Sequence, residues 1–278
     1  MNFTFGIVTG GKEDARVNAI IDSIEAQHIP EYEVLVSGPS KVSRARTRVL
    51  DFDVTRRPHP WITAQKNQVT KYAQYENVVY MHDYIVLCEG WYDGQLIAGD
   101  VFAVRMDKIL NANGERFRDW TLDPFEAKIC AHACLLPYEV TDQSQFMYIS
   151  GSYWIAKRTV MKKYPQHEGL YWGCAEDLEW SSRVRKQYIF NMNTNSSVRL
   201  LKQKAPVFGY ARESHIEGIR IVKHWMETST LRAVMCSDEE AKQIIDMWLA
   251  KTYDGKQSKQ WAGPVPVPME WKDATHPD

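Results

Sequence analysis

The sequence predicts an α/β protein with a mostly parallel central sheet flanked by helices. Two observations carry that expectation. Short apolar runs alternate with segments of helical periodicity through the first third of the chain, and the first two runs stop at Gly-, Pro- or Ser-rich turns. Phe3–Thr9 (FTFGIVT) suits a buried strand running into Gly10-Gly11. Residues 16–27 place Val17, Ile20, Ile21 and Ile24 at helical spacing, and Pro30 forbids continuation. Tyr32–Val36 reads as a second strand closed by Ser37-Gly38-Pro39-Ser40, and Arg48–Phe52 as a short third. Thr63–Gln74 reads as a helix, followed by the strand Asn77–Tyr80, which leads into His82-Asp83-Tyr84. In such a sheet ligands bind at the carboxyl ends of the strands. That rim carries Thr9-Gly10-Gly11, Ser37-Gly38, Asp53 and His82-Asp83-Tyr84.

The second half is less regular. Asn113-Gly114 marks a hairpin turn. Phe146–Ile155 is strand-like but broken at Ser150-Gly151-Ser152, Lys157–Tyr164 is a short helix stopped by Pro165, and Glu176–Gln187 is a further helix. Ser237-Asp238-Glu239-Glu240 forms a capping box for a helix reaching about Trp248, and a proline-bearing irregular tail follows from Lys256. The expected organisation is one catalytic domain over 1–225, split into halves 1–110 and 111–225, with the C-terminal helix and tail over 226–278.

Composition narrows the function classes. Apolar residues make up 44% of the 278 and charged residues 25%, an ordinary globular balance that excludes a disordered or fibrous chain. Lys plus Arg (34) nearly equals Asp plus Glu (35), so no global field recruits nucleic acid. No apolar stretch is long enough for a bilayer span, and the N-terminus lacks the pattern of a signal peptide, so a cytoplasmic protein is expected. Five scattered cysteines do not suggest a disulfide framework. The cluster Cys130-Ala131-His132-Ala133-Cys134 reads as buried thiols, with a metal site as the alternative. Six basic residues between Lys41 and Arg57 read as a solvated loop, with phosphate binding as the alternative.

Three ordered segments carry the chemistry. They are Thr63-Ala64-Gln65-Lys66-Asn67, then Tyr80-Met81-His82-Asp83-Tyr84, then Trp172-Gly173-Cys174-Ala175-Glu176-Asp177-Leu178-Glu179-Trp180-Ser181-Ser182-Arg183. In order and separation they resemble the inverting GT-A glycosyltransferases, especially family 2, over about residues 1–215. The resemblance implies a GT-A fold and transfer of a sugar from a nucleotide-sugar, UDP-linked by preference, to an acceptor hydroxyl. It implies Asp177 as the general base with Glu176 beside it; the aromatic loop of Tyr171, Trp172 and Gly173 could supply an apolar platform for the acceptor. Donor contacts would come from Thr9, Gly10, Asp53, Lys66, His82 and Asp83. Lys66 matches a family arginine that could reach the diphosphate; a solvated helix lysine is its plain alternative.

The same resemblance implies a divalent cation, Mn or Mg, for which Asp83 or His82 and the downstream His215, with His224 next, are the candidate ligands. Tyr84, however, stands where a metal-ligating Asp is usual and removes a hard oxygen ligand. Metal dependence is therefore expected to be weak. Helix electrostatics alone would also place acids at 176, 177 and 179 ahead of Arg183, Arg185 and Lys186. Two other functions compete. A sugar nucleotidyltransferase would need a phosphate loop that Gly10-Gly11-Lys12 matches poorly, and a catalytically inactive carbohydrate- or nucleotide-binding relative is kept in view by Tyr84.

Overall fold

The computed structural model describes residues 1–56, 60–122, 135–139, 141, 147–170, 172 and 176–204. Alternating side chains fix the two faces of its central sheet. In β1 (Phe3–Val8) Phe3, Phe5 and Ile7 face one side, where α1 (Asp14–Glu25) lays down Val17, Ile20, Ile21 and Ile24. Gly6 lies on the other side, where an added Cβ would come within 2.3 Å of Val69. Strands β2 (Tyr32–Ser37) and β3 (Thr47–Leu50) follow, then α2 (Ile62–Tyr72), β4 (Asn77–His82), β5 (Ile85–Leu87) and α3 (Trp91–Ala98). Strands β6 (Val104–Leu110), β7 (Arg116–Phe117), β8 (Thr121–Leu122), β9 (Met147–Tyr148) and β10 (Tyr153–Lys157) lead to α4 (Arg158–Lys163), α5 (Glu176–Val184) and β11 (Phe190–Leu200).

The strand order is β3-β2-β1-β4-β10-β6-β11-β5, with β7 on β6, and β8 and β9 pair apart. Helices α1 and α3 contribute to one apolar core; α2, α4 and α5 contribute to the other. In the second core Trp154 lies between Tyr80 (ring centroids 4.3 Å) and Trp180 (4.5 Å). Truncating a buried aromatic of this kind to Ala costs about 3–5 kcal/mol.

The expectation of a mostly parallel sheet holds for one half. Strands β3, β2, β1 and β4 run parallel, as βαβ connections require. Beyond β4 the sheet is mixed, because β10 runs antiparallel to both β4 and β6, while β6 and β11 are parallel. The difference shapes the rim. An antiparallel neighbour brings its beginning, not its end, to the carboxyl end of β4. Met81 therefore pairs with Tyr153, and the His82 amide donates to the Ser152 carbonyl at 3.0 Å. The break at Ser150-Gly151-Ser152 is thus delivered onto the polar triplet.

The hairpin at Asn113-Gly114 forms as expected, with Gly114 at φ 85° between antiparallel β6 and β7. Strand β11, at 11 residues the longest among the described residues, has no counterpart in the hydrophobic pattern. The Cys130–Cys134 cluster, the capping box at 237–240 and the tail lie outside the described residues. No helix among the described residues is long and apolar enough to cross a membrane.

Candidate active site

Neighbouring residues of α2 reach two different strand exits. The Gln65 amide donates to the carbonyls of Thr9 (2.9 Å) and Ser37 (2.6 Å), tying the ends of β1 and β2 together. At that tie Gly38 has φ 123°, and a Cβ there would lie 2.1 Å from the Thr9 carbonyl oxygen, so only glycine fits. Lys66, one residue on, sends its ammonium to the Gly151 carbonyl at 2.8 Å. It is fully buried, so the solvated-lysine alternative does not hold.

Gly151 is the hub of the site. Its carbonyl receives Lys66, its amide donates to Asp177 Oδ2 at 3.2 Å, and the His82 imidazole hydrogen-bonds to its backbone. A Cβ on Gly151 would sit 3.0 Å from Asp177 Oδ2 and 3.4 Å from Glu176 Oε1, so both carboxylates turn toward this residue. Asp177 Oδ1 also accepts the amide of Leu178 (2.9 Å) in the first turn of α5, where the helix dipole favours an anion. Glu176 is buried, whereas Asp177 keeps part of its surface open.

Electrostatics and burial oppose each other here. Burial pushes the Asp177 carboxyl above its ordinary range, while Lys66 and the amides of Leu178 and Gly151 hold it down. Burial also drives the Lys66 ammonium down, with Glu176 and Asp177 resisting. The acids of α5 consequently divide. Glu179 pairs with Arg183 four residues on, the plain helix ion pair, and Glu176 and Asp177 face the hub instead.

The loop before α5 is fastened to the start of α2. Asn67 bonds to Gln166 (2.8 and 2.9 Å) and to Glu168 (3.0 Å), Thr63 donates to the Leu170 carbonyl (2.6 Å), and the Trp172 amide donates to the Pro60 carbonyl (3.0 Å). These contacts bring two of the three sequence segments into one site. Trp172 is 58% exposed there; Tyr171 and Gly173 lie outside the described residues.

The third segment lies on the same rim. Thr9 Oγ1 donates to Asp83 Oδ2 (2.8 Å) and accepts the Gly11 amide (3.1 Å). Gly10 has open space where a side chain would stand. His82 is 7% exposed, and its Nε2 has no hydrogen-bond partner. Burial, then Lys66, Lys204 and Lys202, push its imidazole well below the ordinary range, so it is neutral near pH 7. Asp53 lies apart in its own turn, exposed, with Oδ1 accepting the Thr55 hydroxyl (2.6 Å) and amide (2.9 Å). Those bonds lower its pKa. Of the basic run, Arg44 pairs with Asp22 and Glu25, and Arg48 donates to the Tyr72 carbonyl, as expected of surface residues with local partners.

Tyr84 is buried, and its phenol accepts the Lys204 ammonium at 2.6 Å and contacts the Ser152 hydroxyl. Burial, then the charge of Asp83, raises it far above the ordinary range, so it stays protonated. This donor set does not fit a divalent cation. Asp83 is engaged by Thr9, the neighbouring phenol is protonated, and among the described residues no three His, Cys, Asp or Glu side chains converge to hold a metal. His215 lies outside the described residues. Lys202, Lys204 and Arg118, which crowd this rim, carry no motif and were not among the expected site residues.

No family model matches the chain, and no curated protein matches it in sequence. Solved structures do match in fold. S. aureus TarS 1–349, solved in complex with UDP-GlcNAc, superimposes with a TM-score of 0.51 at 13% identity, over 98% of this chain and 78% of that one. GalNAc-T7, solved with UDP, GalNAc and Mn2+, superimposes with a TM-score of 0.55 at 12% identity, over 96% of this chain and 59% of that one. The sheet, its flanking helices and these likenesses together establish that the chain has the GT-A fold of glycosyltransferases.

Proposed function

We propose that the chain transfers a sugar from a UDP-sugar to an acceptor hydroxyl with inversion, using Asp177 as the general base. The supporting observation is the carboxylate of Asp177, a half-buried residue, held at a helix N-terminus against Gly151 and Lys66 beside the Thr9–Asp83 rim. The UDP and UDP-GlcNAc in the two similar structures favour the same donor class.

In this reading the diphosphate lies over the rim at Gly10, where the backbone is open, and the sugar carbon faces Gly151. The acceptor oxygen attacks that carbon as its bond to the diphosphate breaks. The acceptor proton passes to Asp177, and the electron pair of the broken bond stays on the leaving phosphate oxygen. A base poised by opposing burial and lysine charge suits this task, because it must be ionised yet still attract a proton. Trp172 offers an exposed aromatic face for the acceptor.

Calorimetric titration with UDP, ADP and GDP, followed by assay of UDP release from UDP-sugars, tests the reading. UDP is expected to bind most tightly and UDP-sugars to turn over. Absence of binding by any nucleoside diphosphate at millimolar concentration overturns it, and binding without turnover favours the inactive binding relative.

A further inference from the structure

The rim at Tyr84 gathers like charges. Lys204 Nζ lies 4.0 Å and Lys202 Nζ 4.4 Å from the centre of the Tyr84 ring, and Lys204 also bonds the phenol oxygen. Backbone anchors set this position. The Leu201 amide donates to the Tyr84 carbonyl (2.8 Å), the Lys204 amide to Asn111 Oδ1 (2.9 Å), and Asn111 Nδ2 to the Lys204 carbonyl (2.6 Å). Arg118 is close enough to act electrostatically on Tyr84, Lys204 and Asp177. Burial, then Lys202 and Arg118, lowers the Lys204 ammonium to about 7, with Asp83 alone opposing. Cations held together in this way repel one another unless an anion joins them.

A second observation points to a ligand at the same place. His82 Nε2 is a buried polar atom without a partner, and it lies in the field of Lys66, Lys202 and Lys204. In the neutral ring this nitrogen only accepts, so a bound anion satisfies it by favouring its protonation, after which it donates to the anion. The ligand must be strongly anionic to suit the lysines and small enough to share the rim with Asp83. A diphosphate meets both conditions, and ammonium–phosphate contacts are among the stronger hydrogen bonds.

We propose that Lys202 and Lys204, seated on Tyr84, hold the donor diphosphate and take up the leaving-group charge where a divalent cation would otherwise stand. The proposal rests on the nucleotide-sugar reading above and adds how the leaving group is stabilised. As the sugar–oxygen bond breaks, its electron pair settles on the phosphate oxygen beside the two ammonium groups. The bound diphosphate holds both ammonium groups in their charged form, and they face the developing negative charge.

Titration of the full chain with UDP and UMP, in EDTA and in excess Mn2+, tests the proposal. Wild type should bind UDP within about twofold in the two conditions and prefer UDP over UMP by about tenfold or more, as expected for charge-assisted contacts. The double variant Lys202→Met/Lys204→Met should lose that preference while melting within a few degrees of wild type. Lys204→Arg should keep most of it, and Tyr84→Phe, which leaves the ring but removes the phenol oxygen, should lose part. If UDP binding requires Mn2+, or the lysine variants bind UDP as wild type does, the proposal is overturned and the UDP-sugar reading stands. If wild type binds UDP in neither condition, both fall together.

Discussion

Two carboxyl groups, those of Asp107 and Asp177, are both raised by desolvation and yet are held in opposite ways. Asp107 is wholly enclosed. Its Oδ2 accepts Trp91 Nε1 (3.0 Å), Gln95 Nε2 (2.7 Å) and the Tyr153 hydroxyl, and its Oδ1 accepts Asn193 Nδ2 (3.0 Å). Arg105 stands behind this shell through Gln95 at 3.1 Å. Asp177 has two backbone amides and a lysine charge, and the residue is only half-buried. A carboxylate whose lone pairs are all filled by side chains locks elements together, here α3, β6, β10 and β11. One held by fewer groups, on a half-buried residue, can exchange a proton with a ligand.

The comparison breaks most visibly at Asp107. Asp107→Ala strands four buried donors, so the fold should lose about 3–5 kcal/mol and Tm should fall by about 10 °C. Thermal unfolding measures this, and UDP release at low temperature should stay within about twofold for the folded protein. An unchanged Tm would show that the network does not support the fold.

A smaller effect sharpens the account of Asp177. Lys66 lowers the pKa of Asp177, so Lys66→Met should raise it further. The base is then protonated at higher pH, and the acidic limb of the pH–rate profile should move to higher pH. A limb that stays in place would mean that Asp177 is not the titrating base.

The same contrast explains what the sequence reveals. Strands β1 to β4 are legible because apolar side chains alternate with turns, and Lys66, Asp83, Glu176 and Asp177 are legible because they keep a recognisable order. Strand β11 is hidden because it reads Phe-Asn-Met-Asn-Thr-Asn-Ser-Ser, a composition poor in strand formers. Its Asn193 and Ser196 are buried by bonding to Asp107 and to the Trp91 carbonyl, which is tertiary chemistry outside any hydrophobic period. Missing β11 also hides Lys202 and Lys204, which leave its end and meet Tyr84 across 120 residues of sequence between Lys204 and Tyr84. The antiparallel entry of β10 is equally silent in the sequence, so Gly151 reads only as an interruption. Tyr84 was legible as a missing metal ligand; what stands against it was not.

Asp177→Asn tests the central claim most directly, with UDP release from the donor and UDP affinity measured on the same samples. The substitution keeps the shape and removes the proton acceptor. Turnover should fall by about 100-fold or more, UDP affinity should stay within about twofold, and Tm should hardly move; Glu176→Gln should be milder. Turnover near wild type would contradict the account, as would a loss of turnover accompanied by the loss of stability expected at Asp107.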